Sequence, residues 1–599
     1  MILMKSKKAV LELNFSVFVI ASLCIITLIF GMILLYKLST NLEDVTGQKL
    51  IEKSASKTLP LIKTSVYPEK AVKGTNFEIT LQLNQNDSQG IVLAKATIGN
   101  NIIVFYDDGT HGDYSAGDGL YSGRFDSSSS EEGILSGDIV LTRYGIDLAY
   151  PKSISFEIVP EKCSSILTYG DSDDKVDIAL IGAGYTDLED FKSDTKKYLD
   201  FEDENHGLFS FSPFKENIKK FNFYRINELY TLNDLKCTVG CHGVDSMICC
   251  DSPALSRAAA QCPSYDQIIL LVNDDKFCGS SSGIFSKICT GNKNDIRILV
   301  HEFGHAFGGL GDEYSYAVYP NMEDTSKDYN FPNCVTDCSQ WPRGIEAGCF
   351  QSCGYPKYNR ASDHDCIMND YVDSFCSVCS GYISKLLDNY PPGGISDPKE
   401  KLAPPVGKQY MAELNYNLGK ITLNHLYVSP GKASDKIIER GDYNAKIISK
   451  NNNLLSSFKL DIPNKIFPFY DKNSTDRPSI IELKELNYTL NLPYFDEAEN
   501  IEIYNENESK ILDINVSYFA GTCGNGICED YENYLGCPTD CNQNNDNICT
   551  PEKDGVCDKK CGNLDSDCRA YIWIYVFAVA IFIVITLLVI YLLRKIRQR

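Results

Sequence analysis

The segment HEFGHAFGGLGDEY (residues 301–314) constrains the fold most, because it requires a helix that carries two histidines on one face. His301 and His305 are four residues apart, so their side chains lie on the same side of a helix. The preceding stretch NKNDIRILV supplies apolar residues that can bury this helix, and Gly308 and Gly309 are expected to end it. The chain has 7 histidines in 599 residues, so this spacing around an acidic residue seldom arises by chance. The segment therefore predicts a metal site on a buried helix.

Glu302 lies between the two histidines, beside the expected metal. A glutamate in that place can accept a proton from a zinc-bound water molecule, a role that a purely structural site does not need. A catalytic zinc has three protein ligands and one open position, so another residue must supply the third ligand. The candidates are Asp312 and Glu313, just beyond the glycines, and His364. The segment favours hydrolysis at zinc with Glu302 as the general base.

A second motif, CIMND at residues 366–370, follows the histidine segment. Together with VDIALIGAGYT, FSFSPFKENIKKFNFYRIN and YDQIILLVND, the two motifs resemble the IgA-peptidase family of zinc metallopeptidases, in the metzincin clan, over roughly residues 172–390. The resemblance implies an α/β metzincin-like domain, zinc as the cofactor, a protein or peptide substrate, and Met368 as the Met-turn residue beneath the metal. Separately, Tyr314 and Tyr371 are candidates for stabilising the oxyanion of a tetrahedral intermediate.

The family motif is incomplete at the third ligand. In the metzincin pattern H-E-x-x-H-x-x-G-x-x-H, the last position falls on Gly311, and the acidic residue comes one position later. The resemblance therefore assigns the third ligand to Asp312, since a carboxylate oxygen also binds zinc. Glu313 and His364 stay open as alternatives.

Two uncharged apolar runs, residues 15–36 and 570–593, are long enough to cross a bilayer as helices. Lysines ahead of the first run and the tail RKIRQR after the second predict that both termini are cytoplasmic. The chain between the runs is then expected outside the cytoplasm, at the cell membrane. All of the 24 cysteines except Cys24 fall after the first run, which favours disulfides in an oxidising compartment.

Changes in sequence pattern divide the chain into successive regions. These are a cytoplasmic N-terminus (1–14), a transmembrane signal anchor (15–36), a linker (37–60), an immunoglobulin-like β-sandwich (61–160), the zinc peptidase domain (161–390), a second β-sandwich (391–520), a Cys-rich stalk (521–569), a transmembrane helix (570–593) and a basic cytoplasmic tail (594–599). The predicted fold class is multidomain, with an α/β metzincin-like domain flanked by two β-sandwich domains, a disulfide-rich stalk and two transmembrane helices. The net charge of −23 argues against nucleic acid as a partner.

The loop YDDGTHGDYSAGDGLYSG in the first sandwich is rich in aspartate and resembles a loop of immunoglobulin-like modules in prokaryotic surface proteins. Four of its carboxylates can bind calcium, and they belong to Asp107, Asp108, Asp113 and Asp118. The spacing is not that of an EF-hand. The alternative is a cluster of Asp/Gly turns that binds no metal.

The 15 cysteines from Cys163 to Cys379 are an odd number, so at least one is unpaired or bonds elsewhere. Close pairs such as Cys376 and Cys379 can in principle bind a second zinc, but disulfides are expected in an oxidising compartment. The sequence as a whole predicts a membrane-anchored zinc endopeptidase that acts outside the cytoplasm. The alternative is a catalytically inactive surface adhesion or binding protein with a metal-containing domain.

Overall fold

The computed structural model describes residues 60–520 apart from short internal stretches. The stretches left out are 85–87, 89, 110, 114, 200–206, 292–294, 317–328, 330, 343–344, 346, 394–399, 404, 406, 434–440 and 470–478. Of the described residues, 46% lie in strands and 15% in helices. Sheets therefore dominate the architecture.

The first region consists of two facing sheets. Its strands are β1 (Ile62–Tyr67), β2 (Lys70–Val72), β3 (Asn76–Leu83), β4 (Ile91–Ile98), β5 (Asn101–Phe105), β6 (Leu120–Asp126), β7 (Gly133–Arg143) and β8 (Ile146–Val159). One sheet has the order β1-β3-β6 and the other β2-β8-β7-β4-β5. Phe77 of β3 contacts Phe156 of β8 with ring centroids 4.4 Å apart, so the two sheets share one apolar core.

The central region contains the functional helix. Its strands are β9 (Cys163–Leu167), β10 (Val176–Ala183), β11 (Phe221–Tyr230), β12 (Thr238–Cys241), β13 (Val244–Cys249), β14 (Gln267–Val272), β15 (Gly279–Ser282), β16 (Phe285–Cys289), β17 (Phe350–Cys353), β18 (Tyr355–Arg360) and β19 (Lys401–Leu402). Its helices are α1 (Leu188–Leu199), α2 (Ser252–Ala259), α3 (Asp295–Ala306) and α4 (Ser377–Leu387). Strands β12 and β13 form one hairpin, and β17 and β18 form another.

The last region is again rich in strands. These are β20 (Lys408–Asn417), β21 (Lys420–Pro430), β22 (Tyr443–Ser449), β23 (Leu454–Leu460), β24 (Lys465–Pro468), β25 (Ile481–Glu482), β26 (Glu485–Pro493), β27 (Ala498–Tyr504) and β28 (Lys510–Asn515). Sheets of order β21-β20-β26 and β23-β22-β27-β28 pack around a common apolar core. Strands β24 and β25 leave this region and join the central sheet.

The central sheet has nine strands in the order β19-β9-β11-β10-β14-β16-β15-β24-β25. Strands β11, β10, β14 and β16 are parallel to one another, whereas β15 is antiparallel to both of its neighbours. Apolar residues of α1 and α3 pack on one face of the sheet, and those of α2 pack on the other. Every residue of β10 and β14 is therefore buried, as expected of parallel strands covered on both faces.

Six disulfides brace the central region. They are Cys163–Cys262, Cys237–Cys250, Cys241–Cys249, Cys278–Cys289, Cys334–Cys353 and Cys338–Cys349. Three cysteines of the described residues are not bridged, and they are Cys366, Cys376 and Cys379.

The predicted fold class is wrong, because strands outweigh helices by 46% to 15% among the described residues, which makes the chain β-rich. Parallel strands with helices on both faces occur in the central sheet. Lys215–Lys220 forms a short 3₁₀ turn that leads directly into β11. Between the parallel strands β11 and β14, the chain forms a hairpin that two disulfides cross-link, Cys237–Cys250 and Cys241–Cys249. Such cross-links can hold short segments that lack a core of their own.

No helix among the described residues is long and apolar enough to cross a membrane. The longest, α1 and α3, have 12 residues, or about 18 Å, whereas the hydrocarbon core of a bilayer is about 30 Å thick. On this finding, the prediction of a two-span protein of the cell membrane with both termini cytoplasmic is wrong, and the membrane is unsupported as a partner. The two apolar runs and the Cys-rich stretch 521–569 lie outside the described residues.

Candidate metal centre

Helix α3 carries three residues of the centre. Ile298 and Phe303 belong to the apolar core between α3 and the nine-stranded sheet, which buries the helix. His301, Glu302 and His305 are consequently buried as well, with exposed fractions of 2%, 0% and 5%. Polar side chains are seldom buried to this degree unless they have partners.

Backbone carbonyls orient the two imidazoles. Nδ1 of His301 lies 2.9 Å from the carbonyl oxygen of Ile367, and Nδ1 of His305 lies 2.6 Å from that of Leu310. Because a carbonyl oxygen can only accept, each Nδ1 carries a proton and donates it, and the Nε2 atom is left to bind a metal. The two Nε2 atoms are 3.0 Å apart. The histidines thus present two nitrogen ligands to one point.

A sharp turn after α3 brings the chain back to this point. Gly309 has a φ of +61°, a conformation that glycine adopts far more readily than other residues. The N–H of Gly311 donates to Oδ1 of Asn333 at 2.8 Å. A Cβ atom at Gly311 would lie 2.7 Å from the ring of Phe331, so the position where the metzincin pattern has histidine has no room for a side chain.

Asp312 follows this turn and points at the histidines. Its Oδ1 atom is 3.0 Å from Nε2 of His301 and 3.2 Å from Nε2 of His305. Its Oδ2 atom accepts a hydrogen bond from the Tyr316 hydroxyl at 2.7 Å. Asp312 is fully buried, so its orientation is set by these contacts.

Electrostatics within the cluster favour an ionised carboxylate. Burial by itself would raise the pKa of Asp312, but His305 and His301 together hold that pKa well below its usual range. Burial opposes a charge on the histidines too, although Asp312 raises the pKa of His301. Burial prevails at His305 and lowers its pKa.

The donor set fits zinc. One carboxylate oxygen and two imidazole nitrogens, from Asp312, His301 and His305, all lie within 4.8 Å of one another. Catalytic zinc sites have three protein ligands of these types and keep one position open. Beside them, both carboxyl oxygens of Glu302 are buried without a hydrogen-bond partner among the described residues, and burial raises the pKa of Glu302 to about 8. A buried carboxyl group without a partner is costly, which points to a role in chemistry rather than in stability.

Met368 lies directly beneath α3. A Cβ atom built on Gly304 would lie 2.8 Å from Sδ of Met368 and 3.1 Å from the ring of Phe375. The glycine between Glu302 and His305 therefore lets the helix approach Met368 closely.

Gly304→Ala is expected to destabilise the fold by about 1–3 kcal/mol, because the added methyl group overpacks this contact. Gly381→Ala is a matched control on α4, where the nearest atom to a new Cβ is the Ile345 Cδ1 atom at 3.3 Å. The control should be neutral or stabilising by up to about 1 kcal/mol, since alanine favours a helix over glycine. Denaturant unfolding of both variants measures the difference, and equal effects would contradict the tight packing at Gly304.

Residues 165–341 match the family model described as IgA Peptidase M64. This segment is similar to the IgA peptidase M64 family. The match confirms the resemblance noted in the sequence, and the M64 segment, residues 165–341, includes all three donor residues. It supports a metallopeptidase function, a bound metal and a protein or peptide substrate.

An uncharacterized protein from Archaeoglobus fulgidus is also similar, with 44% identity over 55 residues. The aligned part is 9% of this chain and 26% of that protein. The chain thus spans about a quarter of the length of the relative that it matches.

The other two candidates for the third ligand lie elsewhere. Glu313, although next to Asp312 in the M64 segment, belongs to a separate buried group with three cysteines. His364 lies at the surface with 73% of its side chain exposed, and its nearest acidic partner is Asp363 at 3.8 Å. Of the three candidates, the structure brings Asp312 alone to His301.

The two tyrosine candidates have different surroundings. The hydroxyl of Tyr314 donates a hydrogen bond to the carbonyl oxygen of Pro468 at 3.0 Å. Tyr371 lines a cleft of about 10 Å³ beside His301, and Tyr314 and Phe469 line it too. This volume is about that of one water molecule, so the cleft as it stands holds no peptide.

Two aromatic residues from outside the M64 segment cover the centre, and the sequence interpretation missed them. The ring of Phe467 stacks on His305 with centroids 4.2 Å apart, and the ring of Phe469 meets His301 edge-on at 4.9 Å. The only signal in the sequence was the short apolar run KIFPFY, which was assigned to the second sandwich. Its pairing with β15 cannot be read from local pattern, because the two strands are far apart in the chain.

The predicted calcium loop is only partly assembled. Asp107, Asp113 and Asp118 offer oxygens within 4.8 Å of one another, whereas Asp108 faces His111 at 3.3 Å. Backbone N–H groups already donate to all three clustered carboxylates, as in Asx turns. Calcium binding at this loop stays a prediction.

Proposed function

We propose that this chain is a zinc-dependent endopeptidase in which Glu302 acts as the general base. The observation that carries the proposal is the convergence of His301, His305 and Asp312 beside the unpartnered carboxyl group of Glu302. The M64 family match supports the reaction class independently of this geometry.

The proposed mechanism divides the work among four residues. His301, His305 and Asp312 would hold the zinc ion. Zinc would supply Lewis-acid chemistry there, which acts on the scissile carbonyl group and on the pKa of the attacking water. Glu302 removes a proton from the attacking water and delivers it to the nitrogen of the departing amine. Because the pocket is buried, charges that develop during the reaction interact more strongly than they would in water.

Strand β15 is the proposed docking edge for the substrate. It lies next to Glu302, since a Cβ atom built on Gly279 would be 3.3 Å from the Oε1 atom of Glu302. In the structure, β24 pairs with this strand in antiparallel fashion, with Ser280 opposite Pro468. An extended peptide binds a sheet edge in the same manner, through backbone hydrogen bonds. This pairing favours a peptide substrate over a glycan.

The test is cleavage of a diverse peptide library by the full-length chain, read by mass spectrometry. Products are expected with zinc bound, are expected to disappear when a chelator removes the metal, and should return when zinc is added back. Equal product formation by the zinc-loaded chain and the chelator-treated chain would contradict the proposal.

A further inference from the structure

A second group of potential metal ligands lies behind the centre just described, and we call it the thiol–carboxylate cluster. Its members are Glu313, Cys366, Cys376 and Cys379, all of them buried. One ligand atom from each lies within 4.8 Å of the others. The three cysteines are those that form no disulfide among the described residues.

The distances within the cluster are those of a tetrahedral metal site. Sγ of Cys366 and Sγ of Cys379 are 3.8 Å apart. Oε1 of Glu313 is 3.6 Å from Sγ of Cys376 and 3.2 Å from Sγ of Cys379. Tetrahedral zinc, with thiolates at about 2.3 Å and a carboxylate oxygen at about 2.0 Å, separates two sulfurs by roughly 3.8 Å and a sulfur from an oxygen by roughly 3.5 Å. The four donors already stand close to these positions.

Neither a disulfide nor an ion pair within the protein accounts for the cluster. A disulfide requires two sulfurs about 2.05 Å apart and would still leave one of the three thiols over. Glu313 has one oxygen, Oε2, that is buried and has no hydrogen-bond partner in the part of the chain that the structure describes. The other, Oε1, accepts from Asn333 at 3.1 Å, and no Lys, Arg or His of the described residues pairs with this carboxylate. An ionised carboxylate buried among thiols would lack a compensating positive charge, which a metal ion would supply.

We propose that Cys366, Cys376, Cys379 and Glu313 hold a second metal ion, which is a structural zinc. Four protein donors fill a tetrahedral zinc site and leave no position for a substrate, as in structural sites. The thiol–carboxylate cluster would leave the metal no open position for water or substrate. It therefore does not suit the hydrolysis proposed for the first centre.

The second ion would join three segments that shape the first centre. Glu313 follows Asp312 directly, and its N–H donates to the carbonyl oxygen of Met368 at 2.8 Å. Cys366 lies two residues before Met368 on the predicted Met-turn. Cys376 caps α4, where its Sγ accepts from the N–H of Cys379 at 3.4 Å, and a helix N-terminus favours a negatively charged thiolate. Metal binding would thereby fix the loop that carries Asp312.

The test is the metal content of the zinc-loaded full-length chain and its cobalt-substituted form. Two zinc ions per chain are expected, and Cys379→Ser should lower this number by one. With cobalt, the wild type should show intense thiolate-to-metal charge transfer, which a site of two histidines and an aspartate cannot give. Ser380→Ala, a neighbouring change on α4 that leaves all four donors in place, should keep both signals.

Thiol alkylation of the wild-type chain provides a second measurement, which does not require Cys379→Ser to fold. Three thiols should resist alkylation in the native, zinc-loaded chain and become reactive after a chelator is added. One zinc ion per chain together with a disulfide between any two of Cys366, Cys376 and Cys379 would overturn the proposal. None of these measurements depends on peptidase activity.

A separate feature, the segment of residues 465–469, limits access to the first centre. The inference drawn from it rests on the proposed function. The occluding segment, residues 465–469, consists of β24 and Phe469. It lies along β15, the proposed docking edge, and places Phe467 and Phe469 over the histidines. We infer that this segment is an autoinhibitory element that occupies the place of the substrate.

The backbone pairing of the occluding segment is short, although hydrogen bonds from Ser246 to Phe469 and from Tyr314 to Pro468 also hold the segment. β24 has two residue pairs with β15, Ser280 with Pro468 and Ser281 with Phe467. On its other side it pairs with β25, a strand of two residues. A peptide that pairs with β15 would therefore have few backbone hydrogen bonds of β24 to replace.

Removing both rings with Phe467→Ala and Phe469→Ala tests the inference in the full-length chain. The double variant should lose zinc to a chelator at least about tenfold faster, and its kcat/KM should rise by a similar factor, because a larger fraction of molecules is open. Phe458→Ala, in β23 of the same region, is the matched control and should change neither rate.

The two rates separate the possible failures. Unchanged zinc loss and unchanged kcat/KM in the double variant would overturn the autoinhibitory role. Faster zinc loss without cleavage of any peptide would leave that segment as a cover of the metal and contradict the proposed peptidase instead.

Discussion

Replacing Glu302 with glutamine is expected to lower kcat/KM by about 10²–10⁴-fold, the usual contribution of a general base. Glutamine has nearly the same shape, but its amide cannot accept the proton of the attacking water. The loss should fall mainly on kcat, because Glu302 is not one of the three metal ligands. Peptide cleavage by the zinc-loaded variant provides the measurement.

Zinc content and stability serve as controls for Glu302→Gln. The variant should keep its zinc, and it should unfold at the same denaturant concentration as the wild type or a higher one. The second expectation follows because both oxygens of Glu302 are buried and none of the described residues forms a hydrogen bond with them, so a neutral group is easier to bury. Activity within tenfold of the wild type would exclude Glu302 as the base.

Asp312→Ala is expected to abolish zinc binding at the first centre and, with it, all peptidase activity. Asp312 Oδ1 is within 3.2 Å of both histidine nitrogens, so its loss leaves two ligands. Even loss of an outer-shell partner typically costs 10–100-fold in metal affinity, and the loss of a direct ligand should exceed about 100-fold. Metal analysis after dialysis measures the change.

His364→Ala is the matched control for Asp312→Ala, because the structure places His364 at the surface. It should keep the wild-type zinc content and activity. Glu313→Ala should spare the histidine site while disturbing the thiol–carboxylate cluster. Equal zinc content and equal activity in Asp312→Ala and the wild type would refute the assignment of Asp312 as a ligand.

Local pattern in the sequence predicted what depends on neighbouring residues. The stretch NFEITLQL forms β3, and the helix expected before Gly308 is α3, because both are specified by apolar spacing over one short segment. Asp312, the acidic residue after Gly311, was identified from its position in the histidine motif. Its role as a ligand stays a prediction, with geometry that is compatible with it.

Contacts between distant segments were not predictable in this way. Glu313 was considered only for the first centre, and Cys366 was not connected with Cys376 and Cys379, because loop geometry alone brings them together. The fold class was misjudged for a related reason. Helical spacing can be read from one segment, but strands β19, β24 and β25 join the central sheet from more than one hundred residues after its last parallel strand.

The pairing of β24 with β15 has a consequence for the order of events during translation. The two strands are separated by almost two hundred residues, which a ribosome adds in roughly 10–40 s at 5–20 residues per second. Helix α3 and Asp312 are both made before Phe467 and Phe469. In each newly synthesised chain, His301 and His305 therefore exist for a period before Phe467 and Phe469 are available to cover them.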